Sequence, residues 1–260
     1  MYFSQIWQRD PRYYQITVLS SLLIYGIGWL HFEVELVSIL TIISTALITQ
    51  FVCTRLFSLP HFDFRSPLIS ALSLCLLLRA NTLLLLSLTA IITILSKFLF
   101  RWNNKHIFNP TTFGLVAMML LTGQVWVSPG QWGSVAFLAF LLAGVGSLVI
   151  YRAARSDVTY ALVFFYTTIV FGRALWLGDP LTIPLHQLEN GAFLLFAFFM
   201  ISDPKTTPDS RAGRILFAFL VAAGAGFVQF WLYRTNGLLW SLAFFALLVP
   251  LIDRVCDTFS

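Results

Sequence analysis

Residues Leu83–Leu95 read LLLLSLTAIITIL, and this run decides the fold. It shows neither the alternation of a half-buried strand nor the single apolar stripe of a surface helix, because apolar side chains occupy every side. LITQFV (Leu47–Val52) and GAFLLFAFFMI (Gly191–Ile201) have the same character. A chain of 260 residues that is 58% hydrophobic and 10% charged lacks the polar surface of a soluble domain, where about 25% charged is usual. Lipid requires no polar cover and demands only that backbone groups pair internally, which leaves helices or a closed barrel. A barrel would alternate apolar and polar residues in short segments. The sequence therefore predicts an all-α, polytopic integral membrane protein whose outer faces meet membrane lipid.

Ten apolar segments can be marked, at 13–30, 34–54, 66–79, 82–100, 111–127, 133–151, 158–177, 187–202, 213–232 and 236–252. The third and eighth fall short of the twenty or so residues of a full span. Each carries polar or Gly/Pro punctuation, SPLIS opening the third and NG and SDP flanking the eighth, so both read as broken or half-length helices. Lys and Arg divide thirteen to three between the two sides of this topology, the minority being Arg79, Arg173 and Arg234. Cytoplasmic loops accumulate such charges, which predicts cytoplasmic termini and, without a transit peptide, a bacterial inner (cytoplasmic) membrane. The opening MYFSQIWQRDPRYYQ has no small-residue cleavage site, so the first helix is expected to be retained. Ten spans divide into five and five, and an odd-numbered repeat inverts its second copy. The expectation is a single transmembrane domain over residues 1–260 with candidate repeats 13–127 and 133–252.

The net charge is +5, but the basic residues are dispersed between apolar runs and form no continuous patch, so no nucleic-acid partner is expected. Cys53, Cys75 and Cys256 share no metal-ligand spacing and read as packed thiols. GxSxG, HExxH, Walker A and strand-linked GxGxxG patterns are absent, so any ATPase would be another subunit.

Three constellations remain. KHIFNPTTFG (Lys105–Gly114) places Asn109 to cap a helix that Pro110 opens, with Thr111 and Thr112 beside free backbone N–H groups suited to a phosphate or a polarised carbonyl. An ordinary capped helix start explains the same residues. MISDPKTTPDSRAGR (Met200–Arg214) puts Asp203 at the end of an apolar run, where an uncompensated charge is costly and an acid becomes a functional candidate. Local pairing with Lys205 or Arg211 is the simpler alternative. GRALWLGDPLTIPLHQLENGA (Gly172–Ala192) holds Arg173, Asp179, His186, Glu189 and Asn190; His186 reads as a solvated loop residue, and no metal is assigned.

SPLISALSLCLLLRANTLLLLSLTAIITILSKFLFRWNNKHIFNPTTFG (Ser66–Gly114) resembles the RnfD/NqrB membrane subunits, in which a serine-led short helix and a following helix lead to a basic loop ending in FNP. GAFLLFAFFMISDPKTTP (Gly191–Pro208) is similar to the same family's segment ending in a Thr- or Ser-rich DP motif. The likeness runs from the third segment to the tenth. It implies a ten-helix, five-plus-five fold similar to urea transporters and a subunit of an ion-translocating oxidoreductase carrying flavin. Family members hold FMN esterified to a threonine in a [SG]-[SGA]-A-T-like segment. Here the nearest string is SDVTYA (Ser156–Ala161), which lacks the pattern and falls on the cytoplasmic side, so covalent FMN is not expected at Thr159 or elsewhere. The short length, and the opening DPRYYQITVLSSLLIYGIGWL (Asp10–Leu30), are similar to reduced, stand-alone UnbU-like relatives.

The resulting expectation is a membrane subunit of a flavin-linked, Rnf/Nqr-like electron-transport system coupled to ion translocation, with other electron-transfer subunits or a flavoprotein as partners. The cofactor implied is a non-covalent flavin, FMN or riboflavin, and whether the chain is itself catalytic stays open. Asn109, Thr111, Asp203 and Thr206 are the candidate polar groups facing a central cavity, with Lys105 and Lys205 as anion or partner contacts. The alternatives are a channel or transporter that keeps the inverted-repeat fold without a redox group, and an anchor for a redox or biosynthetic partner.

Overall fold

The computed structural model describes residues 11–103, 105–132 and 156–258. The expected sixth segment, 133–151, lies outside the described residues, as do Arg9, Arg152 and Arg155 of the basic set. The chain is mostly helical: α1 (Pro11–Gly28), α2 (Leu36–Leu56), α3 (Arg65–Leu77), α4 (Leu83–Leu99), α5 (Pro110–Thr122), α6 (Ser156–Leu177), α7 (Thr182–Leu188), α8 (Gly191–Leu195), α9 (Arg211–Phe230), α10 (Gly237–Ala246) and α11 (Val249–Thr258). A π-helical turn, Phe196–Met200, extends α8.

α2, α6 and α9 are long and apolar enough to cross a bilayer. α10 and α11 together would make a fourth span, bent by 54° at their junction. Pro250, the second residue of α11, has no N–H to give to the preceding turn. Hydroxyls within α2 donate to carbonyls four residues back, Thr41 to Val37 at 2.7 Å, Thr49 to Thr45 at 2.7 Å and Thr54 to Gln50 at 2.8 Å, so they present no unpaired donor to an apolar surrounding.

The short helices occupy the centre. Every residue of α3 from Ser70 to Leu77 is buried, and so are Phe193–Ala197 and Phe199–Ile201, whereas α2, α6 and α9 bury about a third of their residues and expose Ile48, Phe51, Phe164 and Phe227 outward. α1 packs on α3, α2 on α4 and α4 on α5; α6 packs on α9 and α9 on α10; α5 meets α10. The ends of these helices are defined by their caps: Thr82 accepts from Leu85 N at 3.3 Å at the start of α4, and Ser210 from Gly213 N at 3.0 Å at the start of α9.

Two helices are shorter than the apolar runs suggest. α3 gives way at Leu78 and α5 at Gly123, a left-handed C-cap with φ 61°. The residues beyond form β1 (Leu78–Ala80) and β4 (Val125–Val127), paired antiparallel with Leu78 opposite Val127 and Ala80 opposite Val125. A second small ribbon joins β2 (Arg101–Trp102) to β3 (Lys105–His106). A helix that stops inside the protein leaves carbonyls without partners, and the β1–β4 pair removes part of that cost. Arg79 removes more, donating to Cys75 O at 3.2 Å, Leu78 O at 2.6 Å and Gln131 Oε1 at 2.5 Å, while Gln131 Nε2 reaches Leu76 O at 2.9 Å.

All ten described residues of the basic set lie at the end of the bundle where α1, α3, α5 and α9 begin, and Arg79, Arg173 and Arg234 lie at the other. Short contacts tie that end together: Arg12 and Arg65 share Asp63, and Arg214 grips Asp157 through Nε and Nη2 at 2.7–2.9 Å.

Small residues let α4 and α5 approach closely. A Cβ on Gly114 would stand 1.9 Å from Thr93 Oγ1 and 3.2 Å from the Thr89 carbonyl. Gly114→Ala is therefore expected to lower stability in detergent by about 1–3 kcal/mol, and Thr93→Ala in the same chain to return part of it. Thermal unfolding of the purified variants measures both, and an unchanged Gly114→Ala would refute the close approach.

Candidate functional site

The two motifs carrying the family resemblance meet in space. At the start of α5, Asn109 is buried; its Oδ1 accepts from Thr112 N at 3.1 Å and Thr112 Oγ1 at 3.3 Å, and Pro110 opens the helix where no N–H is needed. The amide group of Asn109 turns elsewhere. Nδ2 donates to the Met200 carbonyl at 3.3 Å, at the end of the π turn. In that turn Ile201 N reaches back five residues to Phe196 O at 3.0 Å, so intervening carbonyls lose their usual partners. Side chains take their place: Thr159 Oγ1 donates to Ala197 O at 2.9 Å, Ser202 Oγ to Phe198 O, and Asn109 to Met200 O.

Around this junction lies a cavity of about 410 Å³, bounded by α1, α3, α4, the start of α5 and the DP loop. Asn109, Thr111, Asp203 and Lys205, four of the six sequence-predicted residues, line it. Asp203 is held in a turn: its Oδ1 accepts from Lys205 N at 3.0 Å, and its carbonyl from Thr206 N at 3.1 Å and Thr207 Oγ1 at 3.2 Å. Thr206 does not line the cavity; it is buried and its hydroxyl donates to Asp203 O at 3.3 Å, shaping the loop. Lys105 also stands outside the lining. Its Nζ lies 2.5 Å from Asp209 and 3.1 Å from Asp253, tying the FNP loop to the DP loop and to α11.

Other lining residues escaped the sequence reading. Ser66, Ser70 and Ser73 project from α3 at helical spacing, and Lys97 enters from the last turn of α4. Lys97 is buried, donating to Ser66 O and Ser66 Oγ, each at 3.1 Å. The signal for the serines was their i, i+4, i+7 spacing on a helix too short to span. Lys97 counted in the sequence only as one more basic charge near a helix end. Arg12, Gln15, His106 and Phe199 complete the polar and aromatic lining. Ile69, Phe199 and Met200 add apolar surface to the same lining.

Electrostatics at this end are set by the basic residues. Burial raises the Asp63 carboxyl, but hydrogen bonds from Arg65 and the Arg12 charge outweigh it and hold the group below its ordinary value. Burial, with the nearby Lys205, Lys97 and Arg101 charges, pushes His106 down to about 4.

At the opposite end a second cavity of about 440 Å³ is lined by Tyr166, Phe193, Gln187, Asn190, Gln229 and Asn236, among others. Met200 borders both cavities. Of the third constellation, Asn190 caps α8 by accepting from Ala192 N at 2.8 Å, Arg173 pairs with Asp179 at 3.6 Å, and exposed His186 lies 3.4 Å from Glu189.

A model of the NQR2, RnfD, RnfE family matches residues 118–259, more than half of the chain. Similar curated proteins share one name, which describes a subunit of an ion-translocating oxidoreductase complex. That of Stutzerimonas stutzeri is 28% identical over 163 residues, covering 58% of this chain and 44% of the relative. That of Mannheimia succiniciproducens is 33% identical over 118 residues, 45% and 32% of the two chains. That of Alcanivorax borkumensis is 32% identical over 148 residues, 54% and 40%. The chain spans less than half the length of these relatives. The DP motif falls inside the region matched by the family model, and FNP precedes it.

The His106 shift gives a pH test. Its pKa of about 4 lies below the 6.5 of an unconstrained imidazole, so unfolding takes up a proton between those values. The contribution to stability is fully present above pH 6.5 and is lost as the pH falls through about 4. His106→Asn is expected to flatten the dependence of the unfolding midpoint on pH between 6.5 and 4, and parallel curves for variant and wild type would contradict this.

Proposed function

The chain belongs to the NQR2, RnfD, RnfE family, and from that premise we propose that it is the membrane subunit of a flavin-linked, Rnf/Nqr-like electron-transport assembly, coupled to ion translocation, in a bacterial inner membrane. The observation that carries this reading is the cavity in which the FNP and DP motifs converge. Its volume of about 410 Å³ falls in the range of about 300–1,000 Å³ usual for cofactor sites. Its lining of amide and hydroxyl groups beside Phe199, Ile69 and Met200 suits an isoalloxazine, which has a hydrogen-bonding edge and an apolar edge. A bound flavin, FMN or riboflavin, supplies the electron-transfer chemistry. Asn109, Thr111, Asp203 and Lys205 hold and orient it, Thr206 and Lys105 fix the loop, and Phe199 and Met200 keep water out from the far side. Attachment is non-covalent in this reading: Thr159, in the nearest string to a flavinylation segment, is fully buried with its hydroxyl engaged by Ala197 O. Other electron-transfer subunits or a flavoprotein supply and remove the electrons.

The proposed architecture is ten spans in two inverted repeats, 13–127 and 133–252, with both termini cytoplasmic. Matched packing favours it, since α2 on α4 and α4 on α5 correspond to α6 on α9 and α9 on α10. So does the correspondence of the short helices α3 and α8, and of Asn109 and Asn236 at the starts of α5 and α10. One observation favours a second reading, a channel or transporter without redox group: the two cavities approach from opposite ends and both reach Met200.

Absorption of the detergent-purified protein distinguishes the readings. A yellow protein is expected, releasing its flavin to the supernatant on acid precipitation, with occupancy reduced several-fold in Asp203→Ala and in Asn109→Ala. A coloured pellet would mean covalent attachment. Protein that stays colourless after incubation with FMN or riboflavin would favour the channel.

A further inference from the structure

Several donors aimed into the FNP–DP cavity have nothing to donate to among the described residues. Ser73 and Thr111 are each 4% exposed and line the cavity, and among those residues no hydrogen bond engages either hydroxyl. Lys97 has three N–H bonds, yet both of its acceptors, O and Oγ, belong to the single residue Ser66. The N-terminal turn of α5 adds the Thr111 N–H, which by its position has no intrahelical partner, and the positive end of the helix dipole. These hydroxyls open onto the cavity, where a ligand or water completes them.

The charges also favour an anion. Arg12, Lys97 and Lys205 line the cavity against a single carboxylate, Asp203, among the described residues. Arg12 is already balanced by Asp63 at 2.5 Å, and the Asp203 carboxylate, which accepts from the Lys205 backbone N–H, also acts on Lys97, so Lys97 and Lys205 against this one acid leave a net positive charge in the lining. His106 adds a ring whose Nδ1 is buried and has no hydrogen-bond partner among the described residues. An ammonium group, two hydroxyls and a helix N-terminal amide form a donor set suited to the three terminal oxygens of a phosphate monoester.

We propose that this cavity selects a phosphate monoester, seated on Lys97, Ser73 and the Thr111 N–H and hydroxyl, with Lys205 at its mouth. The proposal rests on the flavin reading above and sharpens it: the flavin is FMN held by its phosphate, in preference to riboflavin. The same chemistry would accept inorganic phosphate or the headgroup of phosphatidic acid.

The test uses the whole chain, stripped of ligand in a maltoside detergent, titrated with FMN and with riboflavin by fluorescence quenching. FMN is expected to bind at least tenfold more tightly, and the preference to collapse in Lys97→Met and in Thr111→Val. Ser73→Ala gives an independent reading should Lys97→Met fail to fold, and Lys97→Arg is expected to retain the preference in part. Equal affinity for the two flavins would overturn the phosphate assignment and leave the flavin reading intact. If neither flavin binds, but inorganic phosphate or dihexanoyl phosphatidic acid raises the melting temperature of the wild type and not of Lys97→Met, the anion site stands and the flavin reading falls. The response to phosphate alone against phosphatidic acid alone then identifies the source. Absence of any response to all four probes would refute the proposal.

Discussion

The hydrogen bond from Asn109 Nδ2 to the Met200 carbonyl joins a capped helix start to a broken helix end at the edge of the cavity. In an apolar surrounding every interrupted helix exposes backbone groups that water cannot reach, so each interruption must bring its own partners. At the π turn those partners are Thr159, Asn109 and the hydroxyl of Ser202. At the end of α3 they are Arg79, Gln131 and the β1–β4 pair. The end of the π turn and the start of α5 border the basic-end cavity and the end of α3 the opposite one, and these side chains make such endings sustainable.

The two ends of the molecule differ in kind. Toward the basic end the cavity is lined by Lys97, Lys205, Arg12 and Asp203; toward the other, by the amides of Gln187, Gln229 and Asn236 with Arg234 as its one charged group among the described residues, and by Tyr166 stacked on Phe193 at 5.2 Å. A fold with related halves would by itself give similar cavities. The charge bias between the ends of the bundle makes them unequal: three basic side chains and one acid line the first, a single arginine the second, among the described residues. The expected orientation and the proposed anion site thus rest on one feature, the distribution of Lys and Arg.

Much of this was legible in the sequence, and the failures are physical. The half-length helices showed in segment length and flanking punctuation, and the start of α5 in Asn109 followed by Pro110, because caps are local chemistry. β1 and β4 did not show, since LRA and VWV continue apolar runs and only their pairing across the fold makes them extended. The π turn leaves no mark in FAFFM, because its widened ladder depends on partners from α5 and α6. Lys105 read as an open cation because its acid partner Asp253 lies 148 residues further on. Lys97 was hidden in the opposite sense: a lysine near a helix end normally extends to water, and only the packing of α3 beside α4 turns it inward to Ser66.

Burying an ammonium group is costly unless acceptors surround it, and Ser66 alone does not meet that requirement. A well-packed apolar residue at position 97 would avoid that cost. The structure instead places two hydroxyls, Ser73 and Thr111, on the wall of the same cavity without a hydrogen bond from either among the described residues. Elsewhere in the bundle hydroxyls are routinely satisfied by the carbonyl four residues back, as Thr89 is by Leu85 at 2.7 Å and Thr122 by Met118 at 2.7 Å. Thr93 Oγ1, packed against Gly114, also lacks a partner among the described residues, but it is enclosed in the contact between α4 and α5, whereas Ser73 and Thr111 open onto the cavity beside the ammonium, at the convergence of FNP and DP, where a ligand can reach them.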